Sequence, residues 1–402
     1  VVDRIGPKLA PWLLILAIGN LPAQPAAAAT EPQTIRASVA YEYGVWMTFT
    51  ASVVSGSPIE RAAVFYRPEG SPDTHVLIAE VSPQSPGIAR ATHDLRQIPF
   101  PPFSRVEYWW QVDFGDGTQS TTPVGGVDYD DNRMAWQILE ENGASVGWVD
   151  GDLEFARAAL DTTHESLARL AEDLLLRPPD RPRVFIYPRI SDLETAYSAS
   201  GRTWVSGHAD PRLSAVLLAV PNGGQAAQEF DRLIPHELAH LAVYQRMGNG
   251  YDALPAWLNE GLATLIEISP SPTYRVALDQ AVRDRTLLGF ESLCAAFPAE
   301  GEAALLAYAQ SASLVRYLRD AYGVGSLHAL LDAYAEGTTC TGGVERVFRR
   351  PFSTLEAEWL ATLPAAGPAS TPILAAGGLI GASLTALVAL ILLKRRAVQP
   401  RK

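Results

Sequence analysis

Two cysteines in 402 residues are too few for a disulfide-built scaffold, and neither lies near a cluster of other metal-ligating residues, so neither is assigned to a metal. Positive charge is also scarce. The formal net charge is −12, and several of the basic residues sit at the two ends, which disfavours nucleic acid as a partner. Charged residues make up only 19% of the chain against 48% hydrophobic ones, a balance that excludes overall disorder and leaves enough apolar side chains for two or three domains.

Against these absences stands one dense constellation, His236-Glu237-Leu238-Ala239-His240 followed by Trp257-Leu258-Asn259-Glu260-Gly261. On a helix, His236 and His240 are one turn apart on one face, so both imidazoles can reach a single metal ion. Glu237 lies beside them with a free carboxylate, placed to act as a base. A catalytic zinc takes three protein ligands and keeps one position for water, so a third ligand must come from another element. Glu260 is the candidate, in a helix predicted to start at Pro255 and run to about Ser269. Zinc is the expected cofactor, and amide hydrolysis the reaction the residue set implies.

At these residues the chain resembles the gluzincin metallopeptidases, in particular the peptidase MA-like proteins related to thermolysin and aminopeptidase N. The resemblance implies that His236, His240 and Glu260 are metal ligands and Glu237 the general base. The gap from His240 to Glu260, residues 241–259, is 19 residues, the thermolysin-like spacing. A Gly-Ala-Met-Glu-Asn-like segment, which captures a free amino terminus in aminopeptidase N relatives, is lacking, so endopeptidase activity on polypeptides is expected over aminopeptidase activity. Such enzymes also place a Tyr or His against the oxyanion. Tyr308 is the candidate, with Tyr317, Tyr322 and His328 as rivals. The alternative function is a surface binding or adhesion module that uses a peptidase fold without cleavage; the intact Glu237 argues against it.

The expected fold class is α+β: a thermolysin-like domain over residues 131–362, with a mixed sheet lobe and a helical lobe, preceded by a β-sandwich over 30–130. The sandwich rests on a period of two, as in Val45, Met47, Phe49, Ala51, Val53 and in Val106, Tyr108, Trp110, Val112, punctuated by Pro and Gly turns. Its pattern resembles immunoglobulin-like or fibronectin-like domains. Of Trp109 and Trp110, one is expected in its core and the other at an interdomain contact. Residues 129–133 read as a polar hinge. A hairpin at Asn142-Gly143, a helix from Asp152 and strands near 184–187 and 215–220 follow. By the resemblance, Leu213 to Val220 is the edge strand that holds substrate, while His208 falls on a loop before it. Cys294 and Cys340 are either one disulfide or two buried thiols.

The ends carry membrane signals. Arg4 and Lys8 precede the apolar run Leu9 to Ile18, and Ala26 to Ala29 follow, which reads as a secretory signal over 1–29. Residues 363–372 form a linker to Ile373–Leu393, an uncharged stretch long enough to span a bilayer, and the basic residues of 394–402 place that tail in the cytoplasm. The expectation is a single-pass cell-membrane protein with its catalytic domain outside the cytoplasm.

Overall fold

The computed structural model describes residues 34–82, 86–199, 207–298 and 301–363; the expected signal segment, membrane helix and basic tail lie outside the described residues. Among the described residues no helix is long and apolar enough to cross a membrane.

Strands β1 (Thr34–Glu42), β2 (Trp46–Val54), β3 (Ile59–Pro68), β4 (His75–Ile78), β5 (Glu80–Ser82), β6 (Gly87–Asp94), β7 (Ser104–Phe114), β8 (Gln119–Thr121) and β9 (Gly125–Tyr129) form two antiparallel sheets. Their orders are β1-β2-β6-β5 and β4-β3-β7-β8, with β9 also paired to β7. Alternation sets the faces: in β2, Met47, Phe49, Ala51 and Val53 are buried while Thr48, Thr50 and Ser52 stay partly exposed. Both sheets bury these faces in a shared core. Trp110 is fully buried there. The other tryptophan of the pair, Trp109, stacks on Phe65 of the neighbouring strand at 5.6 Å, with Arg67 over its ring.

The chain continues through β10 (Gln137–Glu141) and β11 (Ala144–Trp148), a hairpin turning at Asn142-Gly143. Helix α1 (Leu153–Asp173) follows, capped by the Asp152 carboxylate, which accepts from the Phe155 N–H. Then come β12 (Arg183–Tyr187), α2 (Ile190–Ala199), β13 (Gly207–Asp210) and β14 (Ala215–Ala219). The third sheet has the order β10-β11-β12-β14-β13, parallel through β11, β12 and β14 and antiparallel at both edges. The edge strand is therefore β13, and the segment expected at the edge, Leu213 to Val220, holds the interior strand β14. The reason is visible in its sequence: a strand buried on both faces reads as an unbroken apolar run, as Ala215 to Ala219 does.

The two faces of β12 and β14 enter different cores. Val184, Ile186, Val216 and Leu218 join the helices, whereas Phe185, Tyr187, Ala215 and Leu217 complete the core of the two amino-terminal sheets. Phe185 stacks on Phe103 with ring centroids 3.5 Å apart, and Trp136 packs edge-on against both. The expected polar hinge is a locked joint. Asp131 is 0% exposed, pairs with Arg133 and accepts from the Tyr187 hydroxyl at 3.1 Å. A buried charge needs such partners, and holding them fixes the backbone around it.

The helical lobe comprises α3 (Ala226–Met247), a 3-10 turn (Gly248–Ala253), α4 (Ala256–Ile266), α5 (Pro272–Asp284), α6 (Phe290–Cys294), α7 (Glu302–Tyr322), α8 (Val324–Ala335), α9 (Cys340–Phe348) and α10 (Phe352–Thr362). Pro255 caps α4 rather than opening its first turn, and α4 ends at Ile266, short of the predicted Ser269. Cys294 and Cys340 are joined in a disulfide across a sequence separation of 46, linking α6 to α9. Closing a loop of that length constrains the unfolded chain by about 4 kcal/mol.

Candidate metal centre

Helix α3 presents His236, Glu237 and His240, and it does so despite Pro235 inside the helix. A proline has no N–H, so the carbonyl of Asp231 one turn earlier loses its helical partner. That carbonyl accepts instead from the amides of Ile268, at 2.9 Å, and Ser269, at 3.3 Å. The residues just past α4 are thereby tied to the turn of α3 that precedes the histidines. Helix α4 is held from its other side by α7, and Gly261 permits the approach: a Cβ there would lie 2.5 Å from Val315 Cγ2 and 2.8 Å from the Ser311 carbonyl oxygen.

These contacts bring Glu260 between the two imidazoles. Glu260 Oε2 lies 3.3 Å from His236 Nε2 and 3.7 Å from His240 Nε2, and ligand atoms of all three residues fall within 4.8 Å of one another. The other ring nitrogens are occupied: His236 Nδ1 donates to Glu267 Oε1 at 3.0 Å, and His240 Nδ1 donates to Asn259 Oδ1 at 3.1 Å. Asn259 is held in turn by the Tyr251 hydroxyl. Each imidazole therefore turns its Nε2 towards the Glu260 carboxylate, so that two ring nitrogens and a carboxylate oxygen surround one point. Two nitrogens and one carboxylate oxygen form a donor set that zinc accepts, with the outer hydrogen bonds that metal-binding histidines require.

The electrostatics agree. Burial opposes charge on His236, but its bonds to Glu260 and Glu267 outweigh burial and raise the imidazole to about 10. Burial raises the Glu237 carboxyl above the ordinary range, offset in part by the two histidines.

The centre opens into a cleft of about 1080 Å³. One wall is β13, so His208 lies on the edge strand, not on a loop, and lines the cleft. Tyr274, Phe297 and Tyr308 also line it. Tyr308, on α7, has its ring 6.2 Å from that of His236. Burial pushes its hydroxyl well above the usual phenol range, and Glu260 and Glu237 push the same way, so it keeps its proton and can donate. Its three rivals are elsewhere: Tyr317 and Tyr322 donate to Glu358, and His328 contacts the Leu174 carbonyl oxygen. Tyr274 and Arg232 are cleft residues that sequence reasoning missed; Arg232 precedes His236 by one helical turn, a signal that was available.

A mixed sheet, a helical lobe and a His-His-Glu cluster at the base of a cleft define a metallopeptidase. The chain belongs to the Peptidase MA superfamily, whose family model matches residues 162–365. Among solved structures, it is similar to an aminopeptidase N family protein from Idiomarina loihiensis, at 9% identity and TM-score 0.38, over 84% of this chain and 77% of that one. A substrate-bound M1 zinc metallopeptidase variant from Deinococcus radiodurans matches at 13% identity and TM-score 0.31, over 85% of this chain and 96% of that one. A cycloalternan-degrading enzyme from Trueperella pyogenes matches at 18% identity and TM-score 0.17, over 28% of this chain and only 13% of that one. With TM-scores this low, the family assignment rests on the sequence match. No curated protein matches the chain.

Proposed function

We propose that this protein is a zinc metallopeptidase that hydrolyses internal peptide bonds of polypeptides. The observation that carries the reading is the convergence of His236 Nε2, His240 Nε2 and the Glu260 carboxylate, with Glu237 beside them, at the base of a cleft. Zinc held by His236, His240 and Glu260 would supply Lewis-acid polarisation of the scissile carbonyl and acidify a water. Glu237 takes the proton of the attacking water and delivers it to the leaving amine. Tyr308 donates a hydrogen bond to the oxyanion that develops on the attacked carbonyl. Glu267 and Asn259 hold the imidazoles in the tautomer that offers Nε2 to the metal. Extended substrate adds to the outer edge of β13 by main-chain hydrogen bonds.

The endopeptidase assignment is supported by the lack of an amino-terminus-capturing segment in the sequence. The reading includes location: Ile373–Leu393 anchors the protein in the cell membrane, with the catalytic domain outside the cytoplasm. The test is metal content and cleavage of an unbiased peptide library, with and without chelator, for the wild type and for Glu237→Gln. The expected result is one equivalent of zinc in both proteins and chelator-sensitive cleavage that falls by about 100-fold or more in the variant. Undiminished cleavage by Glu237→Gln would overturn the assignment of the base, and bound zinc without cleavage of any peptide would overturn the peptidase reading.

A further inference from the structure

Glu237 is buried at 6% exposure, and one of the surfaces that confine it belongs to the edge strand. Gly207, the first residue of β13, faces the carboxylate so closely that a Cβ there would lie 2.5 Å from Glu237 Oε1 and 3.2 Å from its Cδ. The strand therefore presents a gap to the carboxylate at residue 207. The φ of Gly207 is outside the left-handed region, so its backbone would accept alanine and the Glu237 carboxylate is the main obstacle to a side chain.

We infer that β13 is a clamp for the proposed base: Gly207 is a positioning residue whose missing side chain seats the Glu237 carboxylate. The strand that would hold substrate and the strand that seats the base are then one element. A methyl group at residue 207 displaces the carboxylate without touching a metal ligand. The kinetic side of this inference rests on the peptidase reading; the steric side does not.

The test is a double-mutant cycle on the full chain, with Gly207→Ala introduced into the wild type and into Glu237→Ala. In the metal-free protein, Gly207→Ala is expected to lower the melting temperature in the presence of Glu237 and to have little effect once the carboxylate is removed. The nearby Leu218 Cδ2, 3.2 Å from the added Cβ, is present in both backgrounds and cancels. Equal shifts in both backgrounds would overturn the clamp, whether or not the protein proves to be a peptidase. In the zinc-loaded enzyme, Gly207→Ala is expected to lower kcat on the order of 100-fold, the scale of a misplacement of about 1 Å, with KM and zinc content unchanged. In the Glu237→Asp background, where the carboxylate is drawn back by one methylene, the same substitution should cost far less. An unchanged kcat, or a loss of kcat in step with zinc, would refute the positioning role. A wild type without cleavage would sink the peptidase reading alone, since the melting cycle still decides the clamp.

Discussion

If one face of the third sheet completes the amino-terminal core, then a single aromatic residue on that face should control the stability of the whole chain. Phe185 is the sharpest probe. It is 6% exposed, stacks on Phe103 with centroids 3.5 Å apart, and meets the edge of Trp136 at 5.7 Å. Phe185→Ala removes the ring from a site whose walls come from three separate stretches of chain, so little collapse can fill the space. Truncating a buried Phe costs about 3–5 kcal/mol by transfer and cavity terms together. At about 2–4 °C per kcal/mol for a large domain, the melting temperature should fall by about 6–20 °C. The assay is calorimetry of the full chain alongside near-ultraviolet circular dichroism, which reports the aromatic packing. The expected record is one cooperative transition that moves as a unit. Two separable transitions in the wild type, with only one displaced by the substitution, would refute the shared core. So would a loss smaller than about 1 kcal/mol, the scale of an exposed substitution.

Two further outcomes are expected. Glu267→Ala removes the partner of His236 Nδ1, at 3.0 Å, and should weaken zinc binding by about 10–100-fold while leaving the fold intact, as read by competition with a fluorescent chelator; unchanged affinity would argue that Glu267 is not an orienting group. His93 is buried, accepts at Nδ1 from the Tyr66 hydroxyl and donates from Nε2 to the Ile98 carbonyl oxygen, with His75 and Asp94 nearby. Burial depresses its pKa in the folded state, so the unfolded chain takes up the proton first. Stability from this group is therefore complete above the unfolded value of about 6.5 and is lost as pH falls from there through the folded value. Denaturant titrations from neutral to mildly acidic pH should show this slope in the wild type and a flatter one in His93→Gln, and equal slopes would count against it.

What the sequence by itself determined is what short-range periodicity can encode. The spacing of His236, Glu237 and His240 carries its meaning within one helical turn, and the presence of α1 and β12 followed from apolar repeats. Alternation in β2 and β7 marked the faces of the two amino-terminal sheets correctly. Glu260 was legible because its helix carries a motif of its own. The remainder depended on partners distant in the chain. Which strand forms the sheet edge is decided by pairing order, and β14 and β13 differ only in whether a neighbour covers their second side. That pairing also turned His208 from a loop residue into a cleft residue. The buried joint at Asp131 looked like a hinge because its residues are polar, and polarity alone does not say whether Arg133 and Tyr187 are there to satisfy it. The carbonyl freed by Pro235, the gap at Gly207 and the placing of Tyr308, but not Tyr317, Tyr322 or His328, on the cleft likewise arise from tertiary contacts. Local sequence sets which groups a segment offers, whereas long-range packing sets which of them meet, and the chemistry of this site depends on the meeting.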